Sequence, residues 1–175
     1  MELRTATPWA DLLGHARYDA VHLEVRDTYA VPAESEPLRR FLAGEPRLSE
    51  PDEYWEAWAE VVKDATARGV AVRRVRVVTE PMSDYQRWLL TETGDNIEAG
   101  EDVRYLARHL VRDVPADDAW VVDGTTIGFN LVDSAGKPAG AAVTTDPGIV
   151  SYYRDAVERL WSLATPFPDY VAGHR

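Results

Sequence analysis

The sequence contains no cysteine and only 2 lysines among its 175 residues, and each scarcity excludes a class of chemistry. Without cysteine the chain forms no disulfide, no thiolate nucleophile, no iron–sulfur cluster and no cysteine-ligated zinc site. A phosphate-binding loop requires Gly-Lys followed by Ser or Thr. Lys63 precedes Asp64 and Lys137 precedes Pro138, so nucleotide hydrolysis of the Walker type is excluded.

Other catalytic motifs are missing as well. The histidines are scattered, with no His-Glu-x-x-His pair for zinc, and no serine lies in Gly-x-Ser-x-Gly. The sequence after the most β-branched segment is Thr79-Glu80-Pro81 rather than a glycine-rich dinucleotide loop. We therefore expect no metal and no cofactor. Because no apolar run reaches about 18 residues, we also expect a cytoplasmic protein with no membrane contact.

Acidic residues outnumber basic ones, since 30 Asp and Glu stand against 17 Arg and 2 Lys, and the formal net charge is -11. An acidic chain repels nucleic acid, so direct DNA binding would require a local basic patch. The arginines within residues 73–76 are the candidate for such a patch. The length is typical of one compact domain, which we assign to residues 1–175.

The first half of the chain has the pattern strand, helix, strand. Apolar and polar residues alternate over 20–27, apolar residues recur at helical spacing over 53–68, and 70–79 is rich in β-branched residues. This unit predicts two parallel strands joined by a right-handed crossover, with a short helix over 35–44 inside the connection. Helix N-caps are indicated at Thr7, Ser49 and Asp52.

The second half predicts a helix, an antiparallel meander and a final helix. The helix begins at Ser83 and ends by Gly100. Three short strands joined by tight turns follow, and Asp146-Pro147 opens the last helix. The strands are predicted at 119–122, 126–132 and 139–144. The predicted fold is therefore α/β with a mixed sheet, built from a βαβ N-terminal half, an antiparallel meander and a packed C-terminal helix.

Charged residues on the two parallel strands form the first candidate site. By strand alternation Arg74 and Arg76 share a face, as do Glu24 and Arg26 on the other strand. Ligands of open α/β sheets bind at the carboxyl ends of the strands, and arginine suits a carboxylate or a phosphate. The four residues predict an anion site, and a structural ion-pair network is the alternative.

A second candidate site is a group of carboxylates between the predicted helix and the meander. Glu98, Glu101 and Asp102 could supply acid–base groups for a hydrolase or transferase acting on a phosphorylated or nucleotide-like substrate. Adjacent acids at such a place are also typical of a solvated helix end. No nucleophile or metal-ligand spacing accompanies them.

Several segments together resemble a family of actinobacterial proteins of unknown function. The segments are LEVRDTY at 23–29, EPLRRFLAG at 36–44, RGVAVRRVRVV at 68–78, EPMSDYQRW at 80–88 and NIEAGED at 96–102. The resemblance runs over most of the chain. It implies a regulatory or antitoxin-like role, because members of that family are commonly encoded beside helix-turn-helix regulators and small companion proteins.

A second resemblance concerns the fold alone. Residues 65–78, 119–124 and 146–161 look like one half of a phospholipase D type domain, in which a late strand precedes a terminal helix. That superfamily uses His-x-Lys with an Asp five residues after the Lys. Position 61 is Val and position 135 is Ala, so neither lysine has the required histidine. The resemblance therefore implies a degenerate phospholipase D-like fold whose cleft is left for binding.

These observations predict a non-catalytic regulatory or interaction module. Its ligand is a protein partner, such as a helix-turn-helix regulator, or a small anion. The predicted site residues are Glu24, Arg26, Arg74, Arg76, Tyr85 and Trp88. Arg74→Ala or Arg76→Ala is expected to abolish binding and leave the fold intact, whereas equal losses of stability and binding would indicate a structural network.

Overall fold

The computed structural model describes residues 1–5, 8–47 and 53–173, and in these ranges the chain forms eight strands and six α-helices. The strands are β1 (Glu2–Arg4), β2 (Asp19–Glu24), β3 (Ala71–Val78), β4 (Asp102–Ala107), β5 (Ala119–Val122), β6 (Thr126–Val132), β7 (Pro138–Thr144) and β8 (Thr165–Pro166). The helices are α1 (Trp9–His15), α2 (Ser35–Leu42), α3 (Glu53–Ala67), α4 (Asp84–Ala99), α5 (Pro147–Leu163) and α6 (Phe167–Gly173). All eight strands join one mixed sheet in the order β1-β7-β6-β5-β2-β3-β4-β8.

The predicted α/β architecture is confirmed. Strands β2 and β3 are parallel, from Asp19 opposite Ala71 to Glu24 opposite Arg76, and helix α3 lies in the connection between them. The meander β5-β6-β7 is antiparallel. Its first turn contains Asp123 at φ 51° and Gly124 at φ 60°, the positive values that a tight hairpin turn requires.

The structure differs from the prediction mainly at short or acidic segments. Strand β4 was not predicted, because its first residues continue an acidic stretch that is typical of a loop, yet β4 pairs with β3 in parallel. Strands β1 and β8 and helix α6 were also missed, since each has seven residues or fewer. Strand β2 ends at Glu24, before the predicted limit. The N-caps predicted at Thr7, Ser49 and Asp52 lie outside the described residues.

Each face of the sheet is covered by helices, so strand alternation divides the apolar residues between two cores. Val75 and Val77 of β3 pack with Val157 and Leu160 of α5 on one face. Val72 of the same strand packs under α1 and α3 on the other. Full burial of such a side chain contributes about 1.5–3 kcal/mol. The second face is also the one onto which Arg74 and Arg76 of β3 project.

Helix α4 has well-defined ends, which fix it beside that second face. The Ser83 side chain accepts a hydrogen bond from the Gln86 N–H at 3.1 Å, and Gly100 ends the helix at φ 113°. The helix carries Tyr85, Trp88 and Leu89 against α2. In the part of the chain that the structure describes, no helix is both long and apolar enough to cross a membrane.

Candidate functional site

The register of the sheet places polar side chains in a row across its centre. Arg76 lies opposite Glu24 of β2 and opposite Tyr105 of β4. Beyond Glu24 the row continues to Asp118 and Asn130, where the Asn130 N–H donates to the Asp118 carbonyl at 3.0 Å. The row lies at the carboxyl ends of the parallel strands, where α/β sheets commonly bind ligands.

Arg74 and Arg76 form a buried ion-pair network. The Nε and Nη2 atoms of Arg74 donate to the two carboxyl oxygens of Glu101 at 2.7 and 3.0 Å, and Nη1 donates to Glu24. The Nε atom of Arg76 donates to the other Glu24 oxygen at 2.6 Å, and its Nη1 atom bonds Tyr105 at 2.9 Å. Glu24 therefore joins the two arginines, and all four charged residues are at most 9% exposed.

The network is electrically neutral. Burial by itself would raise the pKa of Glu24, but Arg76 and Arg74 outweigh it and hold the pKa well below the usual value. Burial is likewise outweighed at Glu101, where Arg74 lowers the pKa. Burial and then the charge of Arg74 lower the pKa of His22 to about 3, so this imidazole is uncharged at pH 7. Two cations thus balance two anions.

The proton on His22 can be assigned from its neighbours. Its Nδ1 atom lies 2.9 Å from the Arg74 Nη1 atom, and arginine can only donate, so Nδ1 accepts and the proton is on Nε2. Nε2 faces the Asn130 amide at 3.2 Å. The structure places the amide nitrogen of Asn130 toward Nε2 and leaves the amide oxygen without a hydrogen-bond partner among the described residues, so a protonated Nε2 requires this amide to be rotated by 180° with its oxygen as the acceptor.

A cleft of about 920 Å³ lies above the network, between the sheet and helices α2, α3 and α4. Many of its lining side chains are aromatic. They include Trp9, Tyr29, Phe41, Tyr54, Trp55, Trp58, Tyr85, Trp88 and Trp120. The floor is held rigidly, because the Trp120 ring stacks on His22 with centroids 4.5 Å apart and Trp58 donates from Nε1 to Glu101 at 2.9 Å.

Five of the six predicted site residues line this one cleft, and Arg26 does not. Glu24, Arg74 and Arg76 form its floor, while Tyr85 and Trp88 belong to the α4 wall. The two aromatic rings of that wall meet edge to face, with centroids 5.5 Å apart. Arg26 follows the end of β2, and its Nε atom lies 3.7 Å from Asp118 Oδ2.

The carboxylates of the second candidate site do not come together. Glu98 and Asp102 are exposed, at the end of α4 and the start of β4. The side chain of Glu101 is fully buried, which corrects the interpretation of this stretch as a solvated helix end. Among the described residues, no group of three His, Asp or Glu side chains is arranged to hold a metal ion.

Glu34, Asp118 and Asn130 belong to the same region and were not found from the sequence. Glu34 lies in a 3-10 turn over 32–34, and Asp118 directly precedes β5. Burial raises the pKa of Glu34 to about 7 and that of Asp118 to about 6. No motif marks these residues, and only the register and the folding of the 32–34 turn over the cleft bring them to the site.

Comparisons with known proteins give a family match and a structural likeness. The model of the family described as "Domain of unknown function (DUF6879)" matches residues 7–172. The crystal structure of a phospholipase D family member, Nuc from Salmonella typhimurium, is similar with a TM-score of 0.54 and 12% identity, over 90% of this chain and 87% of that one. This likeness confirms the predicted phospholipase D-like fold.

A further solved structure is that of TrmBL2, an archaeal chromatin protein. It has a TM-score of 0.48 and 16% identity, and the match covers 93% of this chain and 52% of that one. None of the curated proteins matches the chain.

Proposed function

The chain belongs to the family described as "Domain of unknown function (DUF6879)", and we propose that it is a binding module whose cleft takes a small, planar organic ligand. The observation that carries this proposal is the cleft itself. Its volume of about 920 Å³ falls in the range of small-molecule sites, and aromatic walls stand over a floor of fixed polar groups. Planar molecules gain most from aromatic walls, since ring stacking adds to burial.

The charges of the floor argue for a ligand that is not an anion. The sequence predicts an anion site because two arginines share a face, but Glu24 and Glu101 neutralise both of them. A buried anion would then have no uncompensated cation to pair with. The Nη2 atom of Arg76 makes no hydrogen bond to any described residue, so it can donate a hydrogen bond to a ligand. The floor therefore offers a hydrogen-bond donor but no net positive charge.

The proposal is tested with three ring compounds that share one shape, namely benzamide, benzamidine and benzoate. Ligand-observed NMR titration of the wild-type protein is expected to give a dissociation constant of about 1 mM for at least one of them, as is typical of fragments of this size. Ala33→Trp adds a large side chain to a residue that lines the cleft, and it is expected to abolish this binding.

The matched control is Ala43→Trp, which adds the same side chain at an exposed residue beyond the end of α2. This variant is expected to bind as the wild type does. Failure of all three compounds to bind, or equal binding by Ala33→Trp and the wild type, would remove the cleft as a ligand site.

We place this module in a regulatory system on the basis of the family resemblance alone. A helix-turn-helix regulator or a small companion protein, encoded by a neighbouring gene, is the proposed partner. Co-expression of the two proteins followed by affinity purification tests it. Recovery of the partner in a fixed ratio supports the proposal, and its absence from the purified complex contradicts it.

A further inference from the structure

Glu34 is a carboxyl group of the cleft that has no basic partner among the described residues. The Tyr85 hydroxyl donates to Glu34 Oε2 at 2.5 Å, and in the described part of the chain this is the one hydrogen bond that the Glu34 side chain receives. No lysine, arginine or histidine among the described residues forms an ion pair with it. Glu34 nevertheless lines the cleft, and its second oxygen, Oε1, makes no hydrogen bond to any described residue.

The cleft as a whole also has an excess of negative charge. Of the described residues that line it, six are carboxylates and five are lysine or arginine. The basic residues are already paired, since Arg47 bonds Glu92 at 3.0 Å and Arg40 bonds Glu45 at 3.0 Å. Lys63 bonds Glu60, which is outside the lining. Two of the lining carboxylates, Glu34 and Glu98, have no ion pair among the described residues, and Glu98 is exposed to solvent. The partly buried Glu34 is therefore the group that a cation would complete.

From this geometry we propose that Glu34 binds a positively charged or N–H-bearing nitrogen on the planar ligand, so that the ligand class is an aromatic or heteroaromatic base such as an amidine or an aminated ring. This inference rests on the proposed function of the cleft. A carboxylate pairs well with the two parallel N–H groups of an amidine. The aromatic walls add to the same preference, because ring faces attract cations.

The pH dependence of binding follows from the groups that face Glu34. Burial raises its pKa to about 7, the Tyr85 hydrogen bond opposes that rise, the charge of Glu24 adds to it, and Arg76 and Arg74 reduce it. Since Glu34 ionises as the pH rises, the affinity for a permanent cation should increase roughly tenfold between pH 6 and pH 8. Tyr85→Phe removes the hydrogen bond that favours the ionised form and should move this increase to higher pH.

The experiment compares benzamidine, benzamide and benzoate, which are cationic, neutral and anionic, on the wild type and on Glu34→Gln. Wild-type protein at pH 8 is expected to bind benzamidine about tenfold more tightly than benzamide, and benzoate least well. Glu34→Gln keeps an acceptor for Tyr85 and should lose both the preference and the pH dependence. Glu36→Gln removes the same charge on the exposed side of α2 and should keep both.

The outcomes separate this inference from the proposed function. Equal binding of benzamide and benzamidine, or a preference for benzamidine that survives in Glu34→Gln, would overturn the role of Glu34 and leave the cleft as a ligand site. If none of the three compounds binds to the wild type, the proposed function fails and the inference fails with it.

Discussion

Arg74→Ala is expected to lower the free energy of unfolding by about 3–5 kcal/mol. Arg74 is 6% exposed, and its guanidinium bonds Glu101, Glu24 and His22 at once. Its removal leaves Glu101 ionised or protonated in a buried site with no cation beside it, and either state is costly. Equilibrium unfolding in urea, followed by tryptophan fluorescence, measures the loss.

The neighbouring residue provides a matched control. Arg73 is on the same strand but projects to the opposite face, where it pairs with Asp19 at 2.8 Å and with the exposed Glu158. Arg73→Ala is expected to cost about 1 kcal/mol or less, because partly exposed ion pairs contribute little. A similar loss in both variants would show that the buried network has no special role in stability.

The two partners of the Arg74–Glu101 pair should not act independently. Glu101→Leu alone removes one of the two carboxylates that pair with Arg74. The double variant Arg74→Met/Glu101→Leu removes both charges of the pair, so neither charge remains buried without its partner. The double variant is therefore expected to be less destabilised than the sum of the single variants. A sum that is simply additive would mean that the two charges do not interact in the folded protein.

Because Arg74 is buried, a loss of binding in an Arg74 variant cannot be separated from a loss of stability. The sequence predicts that Arg74→Ala leaves the fold intact, since charged residues on a strand are usually near the surface. Because the structure places this guanidinium inside a closed network, stability and binding should fall together. Glu34→Gln and Ala33→Trp are better probes of binding, since neither removes a member of the network.

The sequence was sufficient for the parallel centre of the sheet and for the floor of the cleft. Alternation in β3 correctly assigns Arg74 and Arg76 to one face, and the βαβ pattern correctly brings Glu24 next to them. Arg26 was assigned to the same group by extending the alternation past Glu24. The strand ends there, so the parity rule no longer applies to Arg26.

The upper part of the cleft could not be predicted, because its residues come from segments without periodicity. Glu34 lies in a single 3-10 turn, and its place depends on how residues 28–34 return over the sheet. Asp118 and Asn130 lie opposite each other because of the register of the meander. A shift of this register by one residue would have turned the side chains of the shifted strand to the other face of the sheet. Acidic residues 98–102 gave a pattern typical of solvent exposure, whereas Glu101 is buried with hydrogen bonds from Arg74, Trp58 and Asn96, which no local pattern predicts.

Protein stability is expected to be greatest between about pH 4 and 5 and to fall on both sides. Glu24 and Glu101 have pKa values below their usual range, so their contribution is present above the unfolded pKa and is lost as the pH falls below it. Burial raises the pKa of Glu34 to about 7 and of Asp118 to about 6. Their contribution is present below the unfolded pKa and is lost as the pH rises through these values.

On the alkaline side the two raised carboxyls should together lower the free energy of unfolding by about 4 kcal/mol between pH 5 and pH 8. Asp118→Asn removes one of them and keeps the acceptor for the Val25 N–H, which Asp118 Oδ1 bonds at 2.6 Å. This variant should lose about a third of the pH dependence, and adding Glu34→Gln should remove most of the rest. Asp117→Asn changes the same charge at the exposed neighbouring residue and should leave the slope unchanged. Urea unfolding at pH 5, 6, 7 and 8 measures this dependence. A wild-type free energy of unfolding that is constant or rises over this range would mean that neither carboxyl is protonated in the folded protein.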